Sequence, residues 1–261
     1  METALLFQGL LTVKEYFKNG SQPEQGMCNS IQKLWEEVEW SWHQKNNENV
    51  LYWHWSPNYE WDMNLQIRGW NESLIVYVLA ASSPTFPISN EVYHNGWAHN
   101  GAFPMVNNKS FYNIQLPLGF DYGGPLFFAH YSFLGIDPRN LSDQYANYWN
   151  QNFAHTQINR AHCIANPRGY EGYSIDCWGL SASDIQNGYT ASSPTNDKGV
   201  IAPTAALSSF PYTPNESMQA LRFFYYTIGD KIWGDYGFND SFNLTTLWFA
   251  DSYLAIDQGP I

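Results

Sequence analysis

The chain has 261 residues, 44% hydrophobic and only 14% charged, a balance that fits a folded protein with one large core and excludes a disordered one. A formal net charge of -12 and a pI near 4.8 argue against nucleic acid and anionic membranes as partners, and leave a neutral substrate compatible. Aromatic residues make up 18%, with 12 Trp, 18 Tyr and 16 Phe. Many of the tryptophans fall in polar, Gly/Asn-rich segments, where a flat apolar face suits a CH-rich sugar ring. No apolar run reaches the roughly 18 to 20 residues that span a bilayer.

Residues 2–17 read as an amphipathic helix that begins without a preceding cap and stops at Asn19-Gly20, so the chain is expected to start inside a structural element. Ser21-Gln22-Pro23-Glu24 reads as a capping box with proline in the first turn, opening a helix through Ile31, Leu34, Trp35 and Val38. Residues 39–69 form a long irregular stretch carrying Trp40, Trp42, Trp53, Trp55 and Trp61, and loops of that length are usually functional. Asn71 reads as an N-cap for the run Glu72 to Ala81, which is apolar nearly all round and so predicted to be buried on most sides. A short helix follows near Glu91–Trp97.

Gly123-Gly124-Pro125 then opens an apolar helix from Leu126 to Leu134, and Asp143 to Ile164 reads as a longer amphipathic helix closed by Asn166-Pro167. Residues 166–212 are loop-rich. Thr213-Pro214-Asn215-Glu216 reads as a second capping box, leading through Leu221, Phe224, Tyr225 and Ile228. About eight helices with few strand signals predict an all-α chain of helical hairpins packed in a ring or layer. No linker divides it, so residues 1–261 are expected to be a single domain. Cys163 and Cys177 flank a turn-rich segment and could pair in an oxidising compartment, which leaves Cys28 over.

Cleaving a glycosidic bond takes two acid/base groups on opposite sides of the anomeric carbon. Glu72, between Trp70-Asn71 and a buried helix, is one candidate. Desolvation there raises its pKa and favours a protonated acid, while a helix amino terminus pulls the other way, and the residues alone leave the balance open. Asp257, between Tyr253-Leu254-Ala255-Ile256 and Gly259-Pro260, is either an N-cap or a site residue, and Glu2 carries the same ambiguity. Asp184 reads as a ligand for sugar hydroxyls or as a turn cap. His130 reads more readily as a core histidine than as a catalyst. There is no phosphate-cradling Gly-rich loop, no His-Glu-x-x-His pattern and no Gly-x-Ser-x-Gly elbow, and the histidines are not spaced as metal ligands.

Several segments occur together in a recognisable order. They are Glu2-Thr3 with Gly9-Leu10-Leu11-Thr12, Trp70-Asn71-Glu72, Ser83-Pro84-Thr85, Gly123 to Ser132, Cys177-Trp178-Gly179-Leu180 with Ser183-Asp184, Pro203 to Leu207, Tyr236-Gly237-Phe238, and Ala255 to Pro260. The set resembles glycoside hydrolase family 144, the glucoamylase-like bacterial endo-β-1,2-glucanases. The resemblance implies an (α/α)6 toroid, incomplete in this chain at both ends. It also implies metal- and cofactor-free hydrolysis of β-1,2-glucan to sophoro-oligosaccharides by an inverting mechanism, in a monomeric, periplasmic or secreted protein. It places the acid at Glu72, with Trp70 standing where the family usually has Tyr. It gives Asp257 as the base position and Glu2 as a further site carboxylate. The expected sugar contacts are Trp55, Trp70, Asn71, His130, Tyr131, Trp178, Asp184 and Tyr189. An exo-acting sophorose-releasing enzyme, a transglycosylase of the same fold and a non-catalytic glycan binder are the alternatives.

Overall fold

A computed structural model describes residues 1–261, which fall into two compact units: Met1–Met105 with Tyr131–Asp137, and Val106–His130 with Pro138–Ile261. In the first unit, α1 (Glu2–Phe17) and α2 (Gln22–Glu37) pack as a hairpin. The expected capping box is present, with Glu24 accepting from both the backbone N–H (2.5 Å) and the hydroxyl (2.6 Å) of Ser21. Phe7, Trp35 and Trp40 close the hairpin core with ring centroids 5.6–6.3 Å apart. Helix α3 (Leu74–Ser82) is apolar all round and buries Leu74, Ile75, Val76, Tyr77, Leu79 and Ala80, as its sequence predicts.

Tyr77 also holds down the long 39–69 loop. Its hydroxyl accepts from the Leu51 N–H (3.0 Å) and donates to the Ile67 carbonyl (2.9 Å). A Cβ at Gly96 would meet that hydroxyl at 2.6 Å, so this position needs glycine. Gly96 lies in the π turn Tyr93–Trp97 that continues α4 (Asn90–Val92).

The second unit is built around α5 (Tyr148–Ala165). The helix starts later than its pattern suggests. Asp143 accepts from the N–H groups of Tyr145 (2.8 Å) and Ala146 (3.0 Å) and so fixes a turn, and Asn147 becomes the cap by accepting from Asn150 (2.9 Å). Its buried face is polar rather than apolar. Gln151 bonds the Leu118 backbone, Asn159 bonds both backbone groups of Leu180, and His155 bonds the Gly124 carbonyl. Buried amides of this kind satisfy the backbone of irregular segments that have no ladder of their own. His162 lies between Asp197 (2.9 Å) and the Tyr112 hydroxyl (2.9 Å).

The same unit carries the short helices α6 (Pro203–Leu207), α7 (Pro214–Arg222), α8 (Gly229–Ile232) and α9 (Ala255–Gln258), with α6 packed on α7. Thr213 does begin α7, but its hydroxyl turns back to the Ser209 carbonyl and to Ser217, so the second capping box does not form. The stretch expected to be one helix from Leu126 to Leu134 is instead two 3-10 turns, Leu126–Ala129 and Tyr131–Leu134.

The unit also contains four antiparallel hairpins that correct the all-helical expectation: β1–β2 (Val106–Phe111, Ile114–Leu118), β3–β4 (Ala182–Ile185, Gly188–Ala191), β5–β6 (Trp233–Gly234, Gly237–Phe238) and β7–β8 (Phe242–Asn243, Trp248–Phe249). The chain is therefore largely helical with small hairpins. Cys163 and Cys177 are not paired. Both are free thiols in the apolar core formed with Trp178, Leu180, Phe224 and Phe242. No helix is long and apolar enough to cross a membrane.

Candidate functional site

Glu72 sits in the turn that leads into α3, two residues before the first helical residue. Asn71 is not the cap of this helix. Its Oδ1 accepts from the Ser73 N–H (2.8 Å), an Asx turn that aims the chain into the helix while Ser73 takes the cap position. Ser132 fastens the same turn, because its hydroxyl donates to the Glu72 carbonyl and accepts from the Ile75 N–H (3.0 Å). The Glu72 carboxyl has no ion pair. The nearby cation Arg68 is spent elsewhere, on Gln66 (2.8 Å) and the Asn95 carbonyl (2.5 Å). Burial pushes the Glu72 pKa above its ordinary value, with its own backbone N–H pulling the other way by less. Desolvation therefore outweighs the stabilising backbone N–H, and Glu72 itself lies outside the helix, ahead of the Ser73 cap.

The second unit brings three carboxylates together, and one of them had not been singled out. Asp184 and Tyr189 are cross-strand partners in the β3–β4 hairpin. The Asp184 N–H donates to Asp240 Oδ2 at 2.6 Å, and the hydroxyls of Ser252 and Ser241 donate to the Asp184 carboxylate and carbonyl. Asp257, in the first turn of α9, is 1% exposed, as is Asp240, and its carbonyl accepts from the Thr204 hydroxyl. Burial, together with the neighbouring carboxylates of Asp257 and Asp184, raises Asp240 to about 7. Two such groups cannot both ionise cheaply, so Asp240 keeps its proton well above the ordinary aspartate range, hydrogen-bonded to Asp257. The Tyr189 phenol is pushed up to about 12 by burial and by all three carboxylates, while its ring stays 55% exposed. Sequence reasoning missed Asp240. The available signal was an acid in Asn239-Asp240-Ser241, set between Phe238 and Phe242.

The remaining expected contacts divide by exposure. Trp55 is 38% exposed and stands edge-on to Trp42 (5.1 Å, 89°), which stacks against Trp61 (4.9 Å, 32°), so this loop offers aromatic faces to solvent. Trp70 and Trp178 are buried, with Trp70 packed on Phe133 at 6.2 Å, so neither can serve as a sugar platform. Tyr131 is buried too, and its carbonyl receives the Gln8 side chain (2.9 Å). His130 is a core histidine on Ser209 (3.0 Å), and burial lowers its pKa to about 3, which keeps it neutral. These four side chains are framework rather than contact groups. Glu2 lies in the first turn of α1 with its side chain 83% exposed. Its pKa is lowered, chiefly by its own backbone N–H, which keeps it ionised and unsuited to acid work. No group of three or more His, Cys, Asp or Glu side chains is arranged to hold a metal ion.

Residues 64–261 match the glycoamylase family of glucoamylase-like proteins. The chain is 43% identical, over its whole length, to an exo β-1,2-glucooligosaccharide sophorohydrolase (non-reducing end) of Parabacteroides distasonis, and it spans 39% of that relative. It superposes on a glucoamylase-like crystal structure from Bacteroides uniformis at 56% identity and a TM-score of 0.97. It also superposes on the endo-β-1,2-glucanase of Chitinophaga pinensis, solved with sophorotriose and glucose, at 52% identity and a TM-score of 0.96. In both cases it covers all of this chain and 63% of the other.

Proposed function

The chain belongs to the glycoamylase family, and we propose on that footing that it is part of an (α/α)6 glycoside hydrolase acting on β-1,2-linked glucan. Two relatives similar along its whole length are named for that linkage, and this likeness carries the substrate assignment. In the proposed reaction Glu72 is the general acid. Its dry carboxyl keeps a proton that an exposed glutamate would lose, and gives it to the glycosidic oxygen as the bond breaks. Asp257 is the base that takes the proton of the attacking water. Asp240 supports it by keeping its own proton, which leaves Asp257 free to accept one. Asp184, Tyr189 and Trp55 are the sugar contacts, and inversion at the anomeric carbon is the stereochemical outcome.

The action we favour is internal cleavage to sophoro-oligosaccharides. Release of sophorose from the non-reducing end is the second reading, supported by the name of the Parabacteroides relative. The test is a complete-length version incubated with linear β-1,2-glucan, with product sizes followed over time and the first-formed anomer read by NMR. Mixed short oligosaccharides with the α-anomer first are expected. Sophorose alone from the earliest time supports the exo reading, and absence of any released sugar defeats the proposal.

A further inference from the structure

A cleft lies in the unit of Val106–His130 and Pro138–Ile261, lined by none of Asp184, Asp240 and Asp257. It encloses about 320 Å3 and is lined by Asp176, Gln219, Arg222, Phe223, Tyr226 and Thr227. Five of these share one side of α7 and of the π turn Phe223–Thr227 that continues it. Short π turns shift a helix face out of its regular register and recur at binding sites. Here Tyr225 packs on Trp233 at 5.2 Å, while Tyr226 is 80% exposed with its ring braced edge-on by Tyr225 at 5.1 Å.

Asp176 comes from across the cleft. Ser174 Oγ accepts from the N–H groups of Asp176 (3.3 Å) and Cys177 (3.1 Å), and Arg160 donates to the Ile175 carbonyl (3.1 Å), so the turn carrying Asp176 is held in place. The side chains of Asp176, Gln219 and Arg222 take part in no hydrogen bond or ion pair within the protein.

We propose that this cleft is a separate glycan-holding site for a neutral β-linked glucan, with Tyr226 and Phe223 as the platform and Asp176, Gln219 and Arg222 as ligands for ring hydroxyls. A carboxylate, an amide and an arginine lining one cleft supply both the acceptors and the donors that vicinal hydroxyls take. An anionic ligand would meet Asp176 and a chain of net charge -12. A purely apolar one would leave three polar side chains dry. The choice of β-1,2-glucan as first probe rests on the proposed function; the cleft chemistry asks only for a neutral sugar.

The experiment is affinity electrophoresis of complete-length protein carrying Glu72→Gln, so that glucan in the gel is not consumed, with and without Tyr226→Ala or Arg222→Ala. Tyr226 is so exposed that its removal does not threaten folding. Retardation by linear β-1,2-glucan should weaken at least fivefold in both double variants. With Glu72 intact, Tyr226→Ala alone should leave turnover of a short β-1,2-glucooligosaccharide unchanged. Retardation equal with and without Tyr226 overturns the proposal. So does an Arg222-dependent response to inorganic phosphate with none to glucan. Tyr226-dependent retardation by a β-1,3- or β-1,4-glucan instead keeps the cleft and defeats the β-1,2 assignment. Absence of retardation by all three overturns the cleft whatever the enzyme hydrolyses.

Discussion

Glu72 and the Asp184–Asp240–Asp257 cluster reach raised carboxyl pKa values by different physics. Glu72 is alone: no second carboxylate and no cation contributes, and burial does the work. Asp240 is raised by burial and by company, because Asp257 and Asp184 make a further negative charge costly. In the proposed reaction the first arrangement gives one carboxyl a proton to donate, and the second sets a protonated Asp240 beside an acceptor. On that proposal, surroundings alone set two acids in one chain for opposite work.

The largest effect expected from breaking this contrast is at Glu72. Glu72→Gln, in the complete-length protein, should cut hydrolysis by about 10^2–10^4-fold while glucan binding survives, read as released reducing ends beside affinity retardation. Wild-type turnover would remove Glu72 from the acid role. Next is the framework beside it. Trp70→Ala should cost about 3–5 kcal/mol, seen as a large fall in Tm, whereas Trp70→Phe should cost far less. Sugar binding lost in Trp70→Phe at unchanged Tm would make Trp70 a contact after all.

Asp240→Asn should lower turnover about tenfold and remove the ionisation near pH 7 from the pH–rate profile while leaving the acidic limb in place, since Asp240 is already neutral where Asp257 ionises. The same variant tests linkage. Folded Asp240 keeps its proton to about pH 7, against an ordinary value of 3.8, so its contribution to stability is full below pH 3.8 and is lost as pH rises through 7. Asp240→Asn should flatten the fall in Tm across that window. The smallest change, about two- to tenfold in binding, is expected for Tyr189→Phe, because only one hydroxyl is removed from the cluster's edge.

Legibility followed periodicity and local chemistry. The Ser21 box, the first two helices and the buried α3 all follow from apolar spacing and caps. Helix α5 shows the limit. Its buried face carries Gln151, Asn152, His155, Asn159 and His162, and polar side chains on the inside carry no amphipathic signal when their partners are distant backbone. The two-residue turn of the β3–β4 hairpin is Gln186-Asn187, which lacks the usual Asn-Gly signal, so the hairpin is hidden within a loop-rich stretch. Among the candidate residues, Glu72 and Asp257 stood at helix junctions where sequence could point. Asp240 acquires its role only from Asp184 and Asp257, which are 56 and 17 positions away. Trp70, Trp178, His130 and Tyr131 belong to conspicuous motifs, yet their motifs mark packing. An aromatic or histidine in a fixed sequence pattern does not reveal whether it faces sugar or core.

The measurement closest to the central claim is a 13C NMR titration of the Glu72 side-chain carboxyl, assigned by its loss in Glu72→Gln. The account predicts a midpoint above the ordinary glutamate value of 4.5. A midpoint at or below it would show a solvated or ion-paired carboxylate, and would contradict the assignment of Glu72 as the proton donor.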